Sequence, residues 1–401
     1  MTTPTAKASS FQILLLGIAQ ILVWGGSFFI LAVLADPVVR ETGWSRQWVY
    51  GGLSLGVLVS GLLAPACGRL IARQGGRTLL SLSGLGVAAG LVLMASAQQL
   101  PVFLLAWVVM GIGMAAGLYD ALFATLGTCY GTQARSAISG ITLVSGFCTA
   151  ITWPVAAFLV SHLGWRGACL AYAAVLLLTI WPLYRRALPA PVLATQAPRT
   201  GQAASAVPVN RALYSVLTAL FTLGAMLMTA ISVQLITLLQ GLGYSLASAV
   251  ALSTCLGPSQ VASRIIDLLN RNGHPLWTAL ASVVCTAAGL LLVTLGPGLV
   301  WVTVVGLVIF GAGNGLRAII RGALPLALWN PAEYATVLGR MARPALLGQA
   351  ATPLLCGYSR PAGGAGPALP AGADQRGLGR LAVQSAVRPC PGLVAGDFQR
   401  D

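Results

Sequence analysis

FQILLLGIAQILVWGGSFFILAVL, residues 11–34, contains no charged side chain. At about 1.5 Å per helical residue it is long enough to cross a hydrocarbon core roughly 30 Å thick. Lys7 precedes it, and Val33-Leu34-Ala35 has the small-residue character of a signal cleavage site. The run to Ala35 is about 25 residues, well past the apolar region of a signal peptide, so it reads as a first membrane helix that stays in the protein.

Working outward, runs of the same kind recur at 48–67, 78–97, 101–126, 137–161, 168–184, 212–235, 246–269, 276–295 and 299–324, and an eleventh begins near 341 and fades near 355. Of the 401 residues, 57% are hydrophobic and 8% are charged, far below the roughly 25% charged of a soluble domain,. A chain this poor in charge cannot cover a water-facing surface, so its exterior belongs in lipid. The fold class expected is an all-α polytopic membrane protein.

The net charge of +15 does not point to nucleic acid. The basic side chains form no cluster with interleaved aromatics; they occupy the short gaps between apolar runs. The eight cysteines form no C-x-x-C pair and read as small packing residues, and two histidines, His162 and His274, make no metal site,. No G-x-x-x-x-G-K-[ST] loop occurs, so neither nucleotide nor any other cofactor is expected.

The loops assign an orientation. Arg69, Arg73 and Arg77 follow the second run, Arg135 the fourth, and Arg185, Arg186, Arg199 and Arg211 lie in or beside the loop after the sixth; Arg264 and Arg271 end the eighth, and Arg340 and Arg343 follow the tenth. The alternate loops hold only Arg40, Arg46 and Arg166. Cytoplasmic loops collect Lys and Arg, which puts the N-terminus in the cytoplasm. The longest internal gap is rich in Pro, Ala, Ser, Thr and Gln. The expected organisation is a six-helix bundle at 1–187, a cytoplasmic linker at 188–210, a second bundle at 211–356 and a tail at 357–401,. Gly and Pro make up about a third of the tail, which reads as disordered or out-of-frame, leaving helix eleven incomplete and helix twelve missing.

The two halves resemble each other. Gly68-Arg69-Leu70-Ile71-Ala72 pairs with Ser263-Arg264-Ile265-Ile266-Asp267, and Gly111-x-Gly113 pairs with Gly311-x-Gly313. The two offsets are nearly equal, as a parallel duplication of six spans requires. The segment Gly68-Arg69-Leu70-Ile71-Ala72-Arg73-Gln74-Gly75-Gly76-Arg77 resembles the G-x-L-a-D-r-x-G-r-r signature of the major facilitator superfamily, with Ala72 where the family has Asp. Leu163-Gly164-Trp165-Arg166-Gly167 resembles the family's G-W-R between helices five and six, and Met110-Gly111-Ile112-Gly113-Met114 resembles its small-residue stretch in helix four, with Trp107 where the family often has Arg. Gln260-x-x-x-Arg264 is similar to the Asp-x-x-x-Arg of monocarboxylate porters, with Gln in place of Asp. The resemblance covers about 11–355. It implies two six-helix bundles and alternating access around a cavity lined by helices one, four, seven and ten. It also makes Gly68, Arg69, Arg73, Gly75 and Arg77 a cytoplasmic gate loop.

Asp120 is the acidic residue well inside an apolar run, where a charge costs about 2.5–3.5 kcal/mol and normally faces a cavity or a partner. It is read as a proton or substrate site, against the alternative of a charge near the cytoplasmic end reaching back to water. Arg317 and Arg321 stand at i and i+4, on one helix face, and could meet Asp120 across the cavity or reach lipid phosphates instead. Arg264 is either an anion-binding fork or the anchor matching Arg69. Gln260 and Asn314 are candidate substrate contacts, and Trp24 and Tyr119 candidate cavity linings. The spacings Gly52-x-x-x-Gly56, Gly86-x-x-x-Gly90 and Gly113-x-x-x-Gly117 let helices approach closely.

The function expected is secondary transport of a small solute, an organic anion moved with a proton. The setting expected is the bacterial inner membrane, with the lipid bilayer as partner, a monomeric state and no catalysis. A polytopic membrane enzyme or sensor, or a truncated inactive carrier, are the alternatives; an enzyme should gather catalytic residues at one face, and these candidates are scattered. Reporter fusions should place Arg77, Arg199 and Arg271 inside and Gly243 and Gly298 outside. Gly243 and Arg199 on one side would reject the topology.

Overall fold

The computed structural model describes residues 8–189, 211–269, 274–296 and 299–358. The expected linker, apart from 188 and 189, and the tail from 359 lie outside the described residues, as do Arg199, Arg271 and Gly298 of the topology test. The described secondary structure is helical throughout.

The first crossing is α1 (Ser10–Trp24), a π-helical turn (Gly25–Phe29) and α2 (Leu31–Thr42). A capping box starts it: Gln12 N–H donates to Ser9 Oγ at 3.2 Å, and Ser9 N–H to Gln12 Oε1 at 2.9 Å,. Crossings two and three are α3 (Arg46–Gln74) and α4 (Arg77–Ser96). Then come α5 (Leu100–Gly117), α6 (Tyr119–Tyr130), α7 (Ala134–Ser145) and α8 (Cys148–Ala187). The helical stretch Leu100–Ala187 is 88 residues long; straight, it would run roughly 130 Å, so it must fold back. It does so at Gly131, φ 54°, and at Gly164, φ 68° and ψ 174°, conformations that side chains with a Cβ rarely adopt,. Crossings four, five and six are therefore α5 with α6, α7 with the first part of α8, and the rest of α8. The second half is α9 (Arg211–Gly241), α10 (Leu246–Ser253), α11 (Leu256–Leu269), α12 (Pro275–Leu295), α13 (Val300–Leu328) and α14 (Pro331–Tyr358).

Seven helical stretches among the described residues are long and apolar enough to cross a membrane, and α10–α11 and α14 pack into the same bundle. Large apolar side chains cover the outside: Trp301 is 81% exposed and Trp277 70%, which suits a lipid solvent and not water,. One sequence expectation is corrected. The eleventh helix begins at Pro331, not near 341, so Arg340 and Arg343 lie inside α14 rather than in the loop before it. Pro331 in the first turn, Glu333 beside the positive helix end and the Asn330 carbonyl accepting from Tyr334 N–H are the start signal that hydropathy misses,. Arg264 lies within α11 and is 6% exposed.

Small residues set the helix spacing. Gly86 of α4 faces Gly113 of α5 so closely that a Cβ on Gly86 would stand 2.9 Å from the Gly113 Cα,. At Gly52 and Gly56 the space is filled by a side chain: the fully buried Trp107 ring lies there. Between the halves, α14 packs on α3 and α6, and α7 packs on α11 and α13. A Cβ on Gly68 would stand 2.6 Å from the Ala335 carbonyl, and one on Gly339 2.7 Å from the Ala64 carbonyl. This seam lies toward the end of the bundle that bears Arg69 and Arg73. At the other end α2 packs on α3 and α8, and α10 on α9 and α13, each within its own half. Gly243 turns the chain there: Tyr244 shares a hydrogen bond with Thr303 at the start of α13, the end opposite Arg321.

One arginine staples the first half at that far end. Arg166 donates to the carbonyls of Ala95 (2.6 Å) and Ala97 (2.8 Å), the C-terminus of α4, and pairs with Glu41 at 2.9 Å. Trp165 Nε1 holds the other Glu41 oxygen at 2.6 Å. Arg166→Ala should lower stability by about 2 kcal/mol, the worth of charge-assisted hydrogen bonds. It would read as a fall of a few degrees in thermal midpoint in detergent. Arg166→Lys should restore little, since an ammonium lacks the fork that reaches both carbonyls and Glu41. An unchanged midpoint for the alanine variant removes the staple from the account.

Candidate functional site

Crossing four is broken. Gly117 ends α5, Leu118 is extended (φ −78°, ψ −179°), and α6 starts with Tyr119 followed by Asp120. A break inside a membrane frees backbone groups that no lipid can satisfy. Gln20 of α1, fully buried, supplies the missing partner: its Nε2 donates to the Gly117 carbonyl at 2.7 Å and to Tyr184 Oη at 2.9 Å. Its Oε1 accepts from Trp24 Nε1 at 3.1 Å. The break places Asp120 in the first turn of α6, where unpaired N–H groups and the helix dipole favour a negative charge. Asp120 thus starts a half-helix that runs on to Tyr130.

Trp24 and Tyr119 are brought together, ring centres 5.1 Å apart, with Phe28 and Phe29 beside Trp24 at 5.5 and 5.8 Å. Phe123 stacks on Tyr119 at 5.1 Å and 11°. These rings form an aromatic wall, ordered partly by the π turn at Gly25–Phe29, where a Cβ on Gly25 would collide with Tyr172 and Thr152,. The Tyr119 hydroxyl shares a 2.6 Å hydrogen bond with Ser145 Oγ at the end of α7.

The second half brings cations to this wall. Arg321 Nη2 meets Asp120 Oδ2 at 2.6 Å, and both side chains are 15% exposed. Arg317 lies one turn away; its Nε donates to Asn314 Oδ1 at 3.1 Å, and its stem passes Gly224 of α9. Arg264 enters from α11. Its Nη1 donates to the Thr142 carbonyl at 2.6 Å, in the last turn of α7, where the helix dipole is negative,. Its Nε points to the Gly315 carbonyl at 3.4 Å. Arg317 is repelled by both Arg264 and Arg321, and Arg264 faces Tyr119. One carboxylate among three guanidinium groups leaves the cluster net positive.

The candidates on helices one, four, eight and ten therefore converge, while the gate-loop residues do not join them. Gly68 sits in the seam against α14; Arg69 and Arg73 are exposed at the end of α3; Gly75, φ 77°, caps that helix; and Arg77 donates to the Arg185 carbonyl. Gln260 packs its backbone against Gly315. Among the described residues no group of His, Cys, Asp and Glu could hold a metal ion.

Gln20, Ser139, Thr142, Ser145 and Asp267 were not singled out in the sequence. Asp267 is 8% exposed and bridges the halves, accepting from Ser139 Oγ at 3.1 Å and from Thr278 Oγ1 at 3.0 Å. Its signal was present in the repeat: Asp267 occupies the place of Ala72. A carboxylate absent from the first repeat stands in the second, tying α7 to α11 and α12.

Solved structures share this architecture. The crystal structure of the human organic anion transporter MFSD10 is 17% identical with a TM-score of 0.65, over 86% of this chain and 92% of that one. The proton:xylose symporter XylE is 15% identical with a TM-score of 0.63, over 87% and 89%. FucP in an outward conformation is 13% identical with a TM-score of 0.63, over 86% and 91%. At these identities the likeness concerns the fold. No curated protein matches the chain. The family model of the Major Facilitator Superfamily matches residues 16–352, most of the chain, and the protein belongs to that superfamily of membrane transporters.

Proposed function

We propose that the protein is a secondary transporter that moves a small organic anion together with a proton by alternating access, its N-terminus and arginine-bearing end in the cytoplasm. The observation that carries this reading is the Asp120–Arg321 pair, joining helices four and ten across the two halves at 2.6 Å. It links helices that the internal repeat makes equivalent, inside a cluster of net positive charge. The packing of α3 and α6 on α14 supports a state closed on the cytoplasmic side, with the aromatic wall and Arg317 reached from outside.

An anion arriving at Arg317 and Arg321 competes with Asp120 for Arg321. A buried carboxylate that loses its counter-ion binds a proton, and the neutral side chain no longer ties the halves together. The halves rock, the anion and proton leave inward, and Asp120 recovers Arg321. Anion and proton cross as a neutral sum, so the transport cycle carries no net charge. A human organic anion transporter and a proton symporter share the fold, but the side chains and not the likeness carry the choice of solute and ion.

In proteoliposomes screened with labelled monocarboxylates, Asp120→Asn should abolish accumulation driven by a pH gradient and spare counterflow exchange, which needs no net proton movement. Accumulation at wild-type rates by the Asn variant, or transport of cations alone that ignores Arg321→Gln, defeats the proposal.

The pair also has a stability signature. Asp120→Asn and Arg321→Gln should each cost roughly 3 kcal/mol, because each leaves one buried charge alone. The double variant should cost less than the sum, and additive losses in thermal unfolding would mean the two charges are not coupled.

A further inference from the structure

The three guanidinium groups of the cluster are not equally free. Arg264 is spent on the Thr142 and Gly315 carbonyls, and Arg321 meets Asp120. Arg317 gives only its Nε, to Asn314 Oδ1. Among the described residues, no protein group accepts from its two Nη nitrogens. Asn314 thus holds the fork by one side and leaves its far edge, a pair of N–H donors that matches a carboxylate. Arg321 stands one turn away on the same face and loses its own partner when Asp120 takes a proton.

The aromatic wall has the opposite character. Trp24, Phe28, Phe29 and Tyr119 are each half-buried, so part of every ring is open to a solute. Tyr119 faces Arg264 of the second half, and Phe123 behind it lies against Gly322, the residue after Arg321. Wall and arginines therefore bound one interior space. The polar groups of the wall are already used. Trp24 Nε1 donates to Gln20 Oε1. Ser145 Oγ donates to the Ile141 carbonyl at 2.7 Å, so the Tyr119 hydroxyl spends its proton on Ser145. These rings have no N–H or O–H left for a solute. A hydroxyl-rich body would be buried against them without donors, which is costly. A flat apolar body gains.

Rings also discriminate among apolar bodies. Those around Trp24 and Phe28 lie 5.1 to 5.8 Å apart at angles from 35° to 78°, so they present both faces and edges. A ring packed on a ring is worth about two- to tenfold in affinity beyond the area it buries. A saturated body gains only the area.

We propose that the solute is a monocarboxylate bearing an aromatic ring, its carboxylate shared by Arg317 and Arg321 and its ring seated against Trp24, Phe28 and Tyr119. The proposal rests on the organic-anion reading above and names its class. Tyr119 and Asp120 are neighbours in the chain, so a short link between ring and carboxylate is enough to reach both parts of the site.

The test compares solutes that differ in one feature. Full-length protein in detergent is titrated calorimetrically with phenylacetate, with cyclohexylacetate, which has the same outline without the π system, and with acetate. Phenylacetate should bind at least about tenfold tighter than acetate and about threefold tighter than cyclohexylacetate. Tyr119→Leu and Phe28→Leu should each weaken phenylacetate about fivefold and acetate far less, while Tyr119→Phe, which keeps the ring, should keep the preference. Phe28 carries no polar group, so its variant decides the matter should the tyrosine variant fail to fold. Arg317→Gln should weaken all three solutes alike, by about tenfold. Equal affinity for phenylacetate and cyclohexylacetate, with the Arg317→Gln loss intact, overturns the ring seat and leaves the anion reading standing. Affinities that ignore Arg317→Gln overturn the carboxylate seat. Binding of phenethylamine and of no carboxylate overturns both readings.

Discussion

Lipid offers no hydrogen bond, so every helix interruption inside the bundle must find its partner within the protein. Crossing four breaks after Gly117, and Gln20 reaches over from α1 to take the freed carbonyl. Crossing five breaks after Ser145, and Arg264 reaches from α11 to the Thr142 carbonyl. The same need draws Arg166 to the end of α4. Each repair fixes a side chain that sequence alone leaves free to point anywhere. The breaks in turn create the site: a half-helix start under Asp120 and a half-helix end against Arg264, opposite dipole ends facing one interior.

The relative magnitudes separate what holds the halves together from what switches them. A buried ion pair repays its desolvation only about evenly, so Asp120–Arg321 contributes little net cohesion. Cohesion comes from the seam, where Tyr334, Ala335, Leu338, Ala342 and Leu346 of α14 join the buried core of the first half. Burying such side chains is worth about 25 cal/mol per Å2 of apolar surface, and the glycines permit the contact. The ion pair matters because it can be undone: removing one charge leaves the other stranded, which changes the balance by more than the intact pair ever contributed.

The duplication explains an apparent defect. Ala72 leaves the first repeat without the family's carboxylate and is exposed at the end of α3. Asp267 holds the corresponding place in the second repeat and binds Ser139 and Thr278, one from each half. A polar link between halves needs one carboxylate and neighbouring hydroxyls, and either copy of the repeat can supply the carboxylate.

The sequence by itself determined the solvent, the crossings and the pairing of the halves, because each depends on composition and on spacing along the chain. A run of about twenty apolar residues must span a bilayer whatever its neighbours are. It also marked Asp120, Arg317 and Arg321, since a charge in an apolar run is costly without a reason. It could not mark Gln20 or Ser139, whose side-chain types are ordinary within spans, nor the start of α14, where the cap lies in a polar stretch. Which arginine meets Asp120, which is already satisfied by carbonyls, and which is left open were decided only by the tertiary structure. Those outcomes follow from where helices break and how closely glycines let them cross, distances of a few ångströms between residues some two hundred positions apart.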